Sequence, residues 1–404
     1  MAYTLDNRVD IYRETPIKRD SPEHVLQAGM GCSLEVVGLI DHATNNGFGG
    51  TIDKVLLEDF ALVRAQLGLT TRRGESIRVE SLAGDYDMRG DAPVQKRSPN
   101  DGPPWQVTSN PDGSTRIAVT AQTPERASEL VRHAIRAVGA EGQEPIDLRV
   151  KSVKKYLPPI QFEVGLGGPA HLRAVAKTCF NYFGFKATPA VALRPIFSPI
   201  REYILHAVDG FKEVTAGAKD PFPRLACFDF RSEIFRALPA DECFGPLDHR
   251  LVIRSSQSTG IVYATLELFG SIPYSVLLAE NWADGDLCWA LVADPRPDTQ
   301  KFRQFNAPPD IRPELHREDV LSHVLDSDEF LKRTDYLFRH LRPIVDARVA
   351  NAIVADVVRS ASESSDGKMV TADQLGRLVR EAALQSVRHI HRLDSETELP
   401  PTDI

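Results

Sequence analysis

The apolar positions of this chain change their period several times, and each change marks out an element. Leu34, Val36, Val37, Leu39 and Ile40 form a short run rich in β-branched residues, which predicts a strand. Glu23-His24 falls on a strand or loop before it. Gln27 to Gly31 is turn material, because glycine accepts positive φ. Asn45-Asn46-Gly47 breaks the strand, and from Ile52 the period becomes helical through Val55, Leu56, Phe60, Leu62, Val63 and Leu67. Thr51 is the expected N-cap and Gly68 the stop. Residues 1–70 therefore read as strand or loop, turn, strand and helix, with Asn45 and Asn46 at the second junction.

Beyond this segment the pattern loosens and then recovers. Residues 71–104 are polar and broken by Gly84, Gly90, Pro93, Pro99 and Gly102-Pro103-Pro104, so they read as a linker or loop. Residues 105–156 predict a small α/β unit, with strands at Trp105–Thr108 and Arg116–Thr120 and a helix opening at Thr123-Pro124-Glu125. A further strand is expected from Arg149 to Tyr156. Residues 157–313 predict a mixed body. It holds a glycine-rich entry at Gly165–Pro169, an apolar helix through Leu172, Val175, Ala176, Phe180 and Phe183, and an antiparallel meander over Leu251–Leu278 that continues at Leu287–Val292. The Pro- and Asp-rich stretch 294–313 reads as loop. Residues 314–394 are helical, with an amphipathic helix over Val370–Leu393, and 395–404 read as a frayed tail. The fold class is α+β.

Composition narrows the setting. The 404 residues suffice for two or three domains, and 42% hydrophobic with 26% charged residues is ordinary for a globular chain. No run approaches the roughly 18 apolar residues of a membrane span. The N-terminus lacks a basic head and an apolar core, so a signal peptide is not expected. Five scattered cysteines without a C-x-x-C pair suggest buried thiols in a reducing compartment, which places the protein in the cytoplasm. The net charge of −8 argues against a generally nucleic-acid-coating surface. A local basic path remains in Arg149, Lys151, Lys154 and Lys155, with Tyr156 able to stack on a base. The same alternation also describes an edge strand protected by lysines.

The candidate chemistry sits near the N-terminus. Glu23, His24 and Asn45 offer a carboxylate, an imidazole and an amide oxygen. Phosphodiester hydrolysis needs a base to activate water and a cation to stabilise charge on the phosphate oxygens. A neutral His supplies the first near pH 7, and the two oxygen donors suit Mg²⁺ or Mn²⁺. The glycine-rich entry before His171 and Arg173 lacks the spacing of a phosphate loop, and Pro169 at a first helical position accounts for much of it.

Pro22 to Gly49 resembles the ββα site of the HNH endonucleases. The bacterial pattern runs C-x-x-C, then E-H-V-x-P-x-x-x-G-G, then C-x-x-C-N-x-x-F-G followed by I-D. This chain offers Glu23-His24-Val25-Leu26, Gly29 and Gly31, Asn45-Asn46-Gly47-Phe48-Gly49 and Ile52-Asp53. The resemblance implies His24 as general base, with Glu23 and Asn45 holding one divalent metal. Asn46 is the alternative to Asn45 after a one-residue slip. It also implies metal-dependent cleavage of nucleic acid, most readily DNA, in which the larger body selects the target, binds a protein partner or forms a homo-oligomer. Asp10 and Arg13 stand at the first zinc pair, and Asp41 and Thr44 at the second. No structural zinc is therefore expected. Gln27 replaces the usual proline and Cys32 the second glycine. These departures keep open a second reading, in which the nuclease shape survives as a nucleic-acid- or protein-binding scaffold.

Overall fold

The computed structural model describes residues 2–6, 8–82, 86–89, 92–96, 105–109, 115–119, 124–137, 139, 161–162, 167–209, 225–229, 238–297, 301–306, 316–321, 327–364 and 372–391. Its helices and strands confirm the α+β class. The chain divides into two compact units. The first is Met1–Arg78 with Val164–Asp346, and the second is Val79–Glu163 with Ala347–Ile404.

The first unit opens with β1 (Ala2–Thr4), β2 (Glu23–His24) and β3 (Glu35–Val37). β2 runs antiparallel to β3, and β1 lies parallel on its other side. Between β2 and β3 a single 3-10 turn, Ala28–Met30, ends at Gly31 with φ 93°. Only glycine fits here. A Cβ at Gly31 would lie 2.3 Å from the carbonyl oxygen of Pro295, and the positive φ is itself unfavourable for other residues. Three short helices follow: α1 (His42–Gly50), α2 (Ile52–Asp59) and α3 (Ala61–Leu67). The helix expected from Thr51 thus begins earlier and in pieces. Asp41 is the N-cap, accepting from the backbone N–H of Ala43 at 2.9 Å. Thr51 makes the joint instead, its hydroxyl donating to the Gly47 carbonyl at 2.7 Å. Gly68 closes α3 in the left-handed conformation.

β4 (Arg78–Glu80) leads into the second unit and pairs with β5 (Tyr86–Arg89) and β6 (Ala92–Lys96) in a three-stranded sheet where composition suggested a linker. The hairpin of β7 (Trp105–Ser109) and β8 (Thr115–Val119) and the helix α4 (Pro124–Ala137) form where expected. α4 buries Leu130 and Ala134.

The remainder of the first unit surrounds α5 (Pro169–Ala187). After it come α6 (Pro189–Ala192), α7 (Ser198–Asp209) and β9 (Ala226–Phe228). The meander is β10 (His249–Ser256), β11 (Ile261–Leu268) and β12 (Ile272–Glu280), extended by β13 (Cys288–Ala293). β14 (Phe302–Asn306) pairs with β13, so the stretch read as loop contributes an edge strand. The antiparallel order is β14-β13-β10-β11-β12-β9. α8 (Arg317–Leu321) and the start of α9 (Ser327–Ser364) complete this unit, while the rest of α9 and α10 (Ala372–His391) belong to the second. Among the described residues, no helix is long and apolar enough to cross a membrane.

The module expected over 1–70 does not stand apart, because α5 binds it into one core with the six-stranded sheet. Phe180, Phe183 and Phe197 cluster with ring centroids 4.6–6.2 Å apart. Tyr12 reaches this cluster through Phe180, at 5.5 Å. α5 comes so close to the N-terminal segment that a Cβ at Gly184 would meet Ile11 Cδ1 at 2.9 Å. Burying each such phenyl ring contributes about 2–3 kcal/mol, so this packing outweighs the local propensities of a short strand pair.

Candidate functional site

Strand alternation turns Glu23 and His24 to opposite sides of β2. Glu23 points into the core and is 3% exposed, while His24 stays half-buried. The two residues therefore meet different partners.

Glu23 meets a lysine. Lys177, in the middle of α5 and 2% exposed, places its Nζ 2.7 Å from Glu23 Oε1 and 2.7 Å from Asp53 Oδ2. Asn181, one turn further along α5, donates its amide to Glu23 Oε1 at 2.7 Å and accepts from the Tyr12 hydroxyl at 2.7 Å. Gln27 donates to the other oxygen of Asp53 at 2.7 Å. The Lys177 ammonium also lies 5.1 Å from the centre of the Phe48 ring. Burial raises the Glu23 carboxyl to about 7, against the opposing pull of Lys177. Burial works to lower the Lys177 pKa, but the carboxylates of Asp53 and Glu23 outweigh it and raise the net value. The ammonium thus stays charged, and a proton shared with Glu23 would leave the buried cluster electrically balanced.

His24 meets a carboxylate. Its Nε2 lies 3.0 Å from Glu35 Oε1 on the neighbouring strand. Burial lowers the His24 pKa, Glu35 works against the shift, and Lys177 and Arg72 reinforce it. The imidazole is therefore neutral at pH 7. With Nε2–H directed at Glu35, Nδ1 carries the lone pair. A carboxylate-oriented, neutral imidazole has the chemistry of a general base.

The metal half is built differently from the expectation. Asn45 donates its side-chain nitrogen to Ser21 Oγ at 3.0 Å and to the Pro22 carbonyl at 3.3 Å, so it braces the turn leading into β2. Asn46 pairs with His42 at 2.9 Å on an exposed helix face. Glu23, Asn45 and Asn46 each have a separate protein partner. An ammonium already lies against the carboxylate that a divalent cation would need. This donor set does not fit one Mg²⁺ or Mn²⁺ shared by the three. Among the described residues, no group of three or more His, Cys, Asp or Glu is placed to hold a metal ion.

The four positions of the missing zinc pairs do come together, around Asp10. This carboxylate is fully buried. Its Oδ1 accepts from the backbone N–H groups of Tyr12 at 2.8 Å and Arg13 at 3.2 Å. Its Oδ2 accepts from the Asp41 N–H at 3.0 Å and the Thr44 hydroxyl at 2.7 Å. Arg13 joins this hub through its backbone N–H, and Asp41 turns its carboxylate to the backbone N–H groups of Ala43, Lys18 and Arg19. The Ala43 N–H is the main reason that the Asp41 pKa is lowered.

Arg149, Lys151, Lys154, Lys155 and Tyr156, the expected nucleic-acid-binding residues, lie outside the described residues. His171 is fully buried. Its Nδ1 lies 2.5 Å from Asp59 and its Nε2 2.7 Å from the Tyr274 hydroxyl, so it ties α2, α5 and β12 together. His249 joins the turn before β3 to the sheet, its Nε2–H donating to the Met30 carbonyl at 2.8 Å. Burial pushes its pKa down to about 4, so it stays neutral. A cavity of about 10 Å³ beneath His249, Leu251 and Leu26 has room for no more than a water.

Compared with protein-family models, curated proteins and solved structures, the chain matches none. Three residues of the site, Asp53, Lys177 and Asn181, are not marked as site residues by their sequence. Asp53 is visible within the Ile52-Asp53 step. Lys177 and Asn181 are signalled only by a cation and an amide set four apart within a mostly apolar stretch of helix.

Proposed function

We propose that the N-terminal segment is a catalytically degenerate relative of the HNH nucleases, kept as a scaffold within a nucleic-acid-binding protein. The observation that carries this reading is the buried Lys177 ammonium, held 2.7 Å from both Glu23 and Asp53. It supplies in fixed covalent form the positive charge that a divalent ion would bring. At 2% exposure it cannot reach a phosphate to stabilise a transition state. The substituted zinc positions and the turned amides of Asn45 and Asn46 support the same reading. The five cysteines are present as thiols rather than disulfides, which supports a cytoplasmic setting.

The His24–Glu35 pair favours a second reading, because a neutral oriented base is what a working nuclease requires. Plasmid nicking in Mg²⁺ or Mn²⁺, comparing the wild type with His24→Ala, separates the two. The expected outcome is no difference between the preparations. Cleavage that needs metal and disappears with His24 would establish the nuclease.

For nucleic acid as the ligand, the support is the basic run from Arg149 to Lys155. Replacing Lys151, Lys154 and Lys155 by alanine should weaken DNA binding. It should also reduce the slope of log affinity against log salt by about 0.9 for each phosphate that is no longer neutralised. An unchanged slope in a binding titration across roughly 50 mM to 200 mM salt would remove these lysines from the interface.

A further inference from the structure

Arg254 lies in β10 and is 1% exposed. Alternation puts it on the sheet face of Arg250 and Val252, opposite His249 and Leu251. By register it stands beside Tyr263 of β11 and Cys288 of β13. Its Nε, Nη1 and Nη2 are all buried, and none has a hydrogen-bond partner among the described residues. The described carboxylates nearest to it along the sheet and its loops are committed elsewhere. Glu267 pairs with Arg250 at 3.2 Å and Arg333 at 3.5 Å. Asp294 pairs with Arg296 at 2.6 Å, and Asp286 accepts from the Gln257 backbone at 3.0 Å.

A guanidinium cannot shed its proton to escape burial, so this charge persists inside the fold. Buried charges are paired as a rule, because an unpaired one forfeits its hydration with no return. A buried polar group without a partner in a folded protein needs an explanation, and a ligand that the fold binds there is one. For three free N–H-bearing nitrogens in one plane, the matching partner is an oxyanion that accepts two parallel bonds. We propose that Arg254 anchors a binding site for a small oxyanion, a phosphate or carboxylate group, at the β10–β11–β13 face. The site uses no residue of the N-terminal segment, and its failure would leave the proposed function untouched.

The test is thermal melting of the full chain at constant ionic strength in chloride, then with inorganic phosphate, sulfate or acetate. Wild type should show a saturable rise of about 5 °C at an oxyanion concentration near a hundredfold above its Kd. The larger response, to phosphate or to acetate, identifies which group the site prefers. Arg254→Met keeps the apolar stem and should give no response, while Arg254→Lys should give a weaker one. Absence of a saturable response in wild type overturns the proposal, as does an equal response in Arg254→Met. If Arg254→Met does not fold, the Nε–H resonance of Arg254 in wild type decides. A shift that saturates with the oxyanion supports the site, and an unmoved resonance overturns it.

Discussion

Exchanging Lys177 for methionine is expected to destabilise the protein by on the order of 3–5 kcal/mol. The methionine fills much of the same space, so the loss comes from charge rather than from a cavity. Two carboxylates, Glu23 and Asp53, would be left in the core without their shared cation. Urea denaturation at pH 7 measures the effect as a drop in the midpoint with little change of slope. Adding Glu23→Gln and Asp53→Asn to Lys177→Met should recover most of the loss, because a buried polar group costs less than a buried unpaired charge. The pH dependence of Glu23 has a defined sign. Its folded pKa is raised to about 7, so its stabilising contribution is full below its ordinary value and is lost as pH rises through 7. Glu23→Gln should therefore compare best with wild type near pH 8 and worst near pH 5. A Lys177→Met variant as stable as wild type would mean that the carboxylates are not charged partners.

Asp10→Ala is the second large change, again on the order of 3–5 kcal/mol. Four donors would lose their acceptor at once: the N–H groups of Tyr12, Arg13 and Asp41, and the Thr44 hydroxyl. Asp10→Asn should fall between, since one amide oxygen can keep two of the four bonds. A complementary variant checks the geometry. With cysteine at positions 10, 13, 41 and 44 together, the chain should take up one zinc, detectable by metal analysis after gel filtration. Failure of that variant to hold zinc, in a protein that still folds, would show that the four positions do not converge as described.

The architecture is legible wherever local pattern and tertiary demand agree. The meander over β10–β12 shows as alternating and β-branched runs, and α4 starts at its proline. Within the linker expected over 71–104, the strands β4, β5 and β6 escape sequence reading for a physical reason. Prolines and glycines near strand ends look, in sequence, like those of a loop, and pairing across β5 and β6 is not a local property. β14 is hidden in the same way among the aspartates and prolines of 294–313.

The candidate site is half visible. Glu23, His24 and Asn45 stand out by their order along the chain, but order does not say which way a side chain turns. A two-residue strand sends Glu23 inward and His24 outward, and the inward side is occupied by α5. Its partner Lys177 is distant in sequence, and only the fold brings it back. Asp10 looks minor in sequence because its burial decides whether a carboxylate is a weak surface charge or the hub of four hydrogen bonds.

Titration of the wild-type chain with Mn²⁺, followed by electron paramagnetic resonance of the free ion, addresses the cation directly. With Lys177 already seated between Glu23 and Asp53, no stoichiometric Mn²⁺ should be taken up in a manner that depends on Glu23 or Asn45. Uptake of one Mn²⁺ per chain, abolished by Glu23→Gln and by Asn45→Ala, would contradict this.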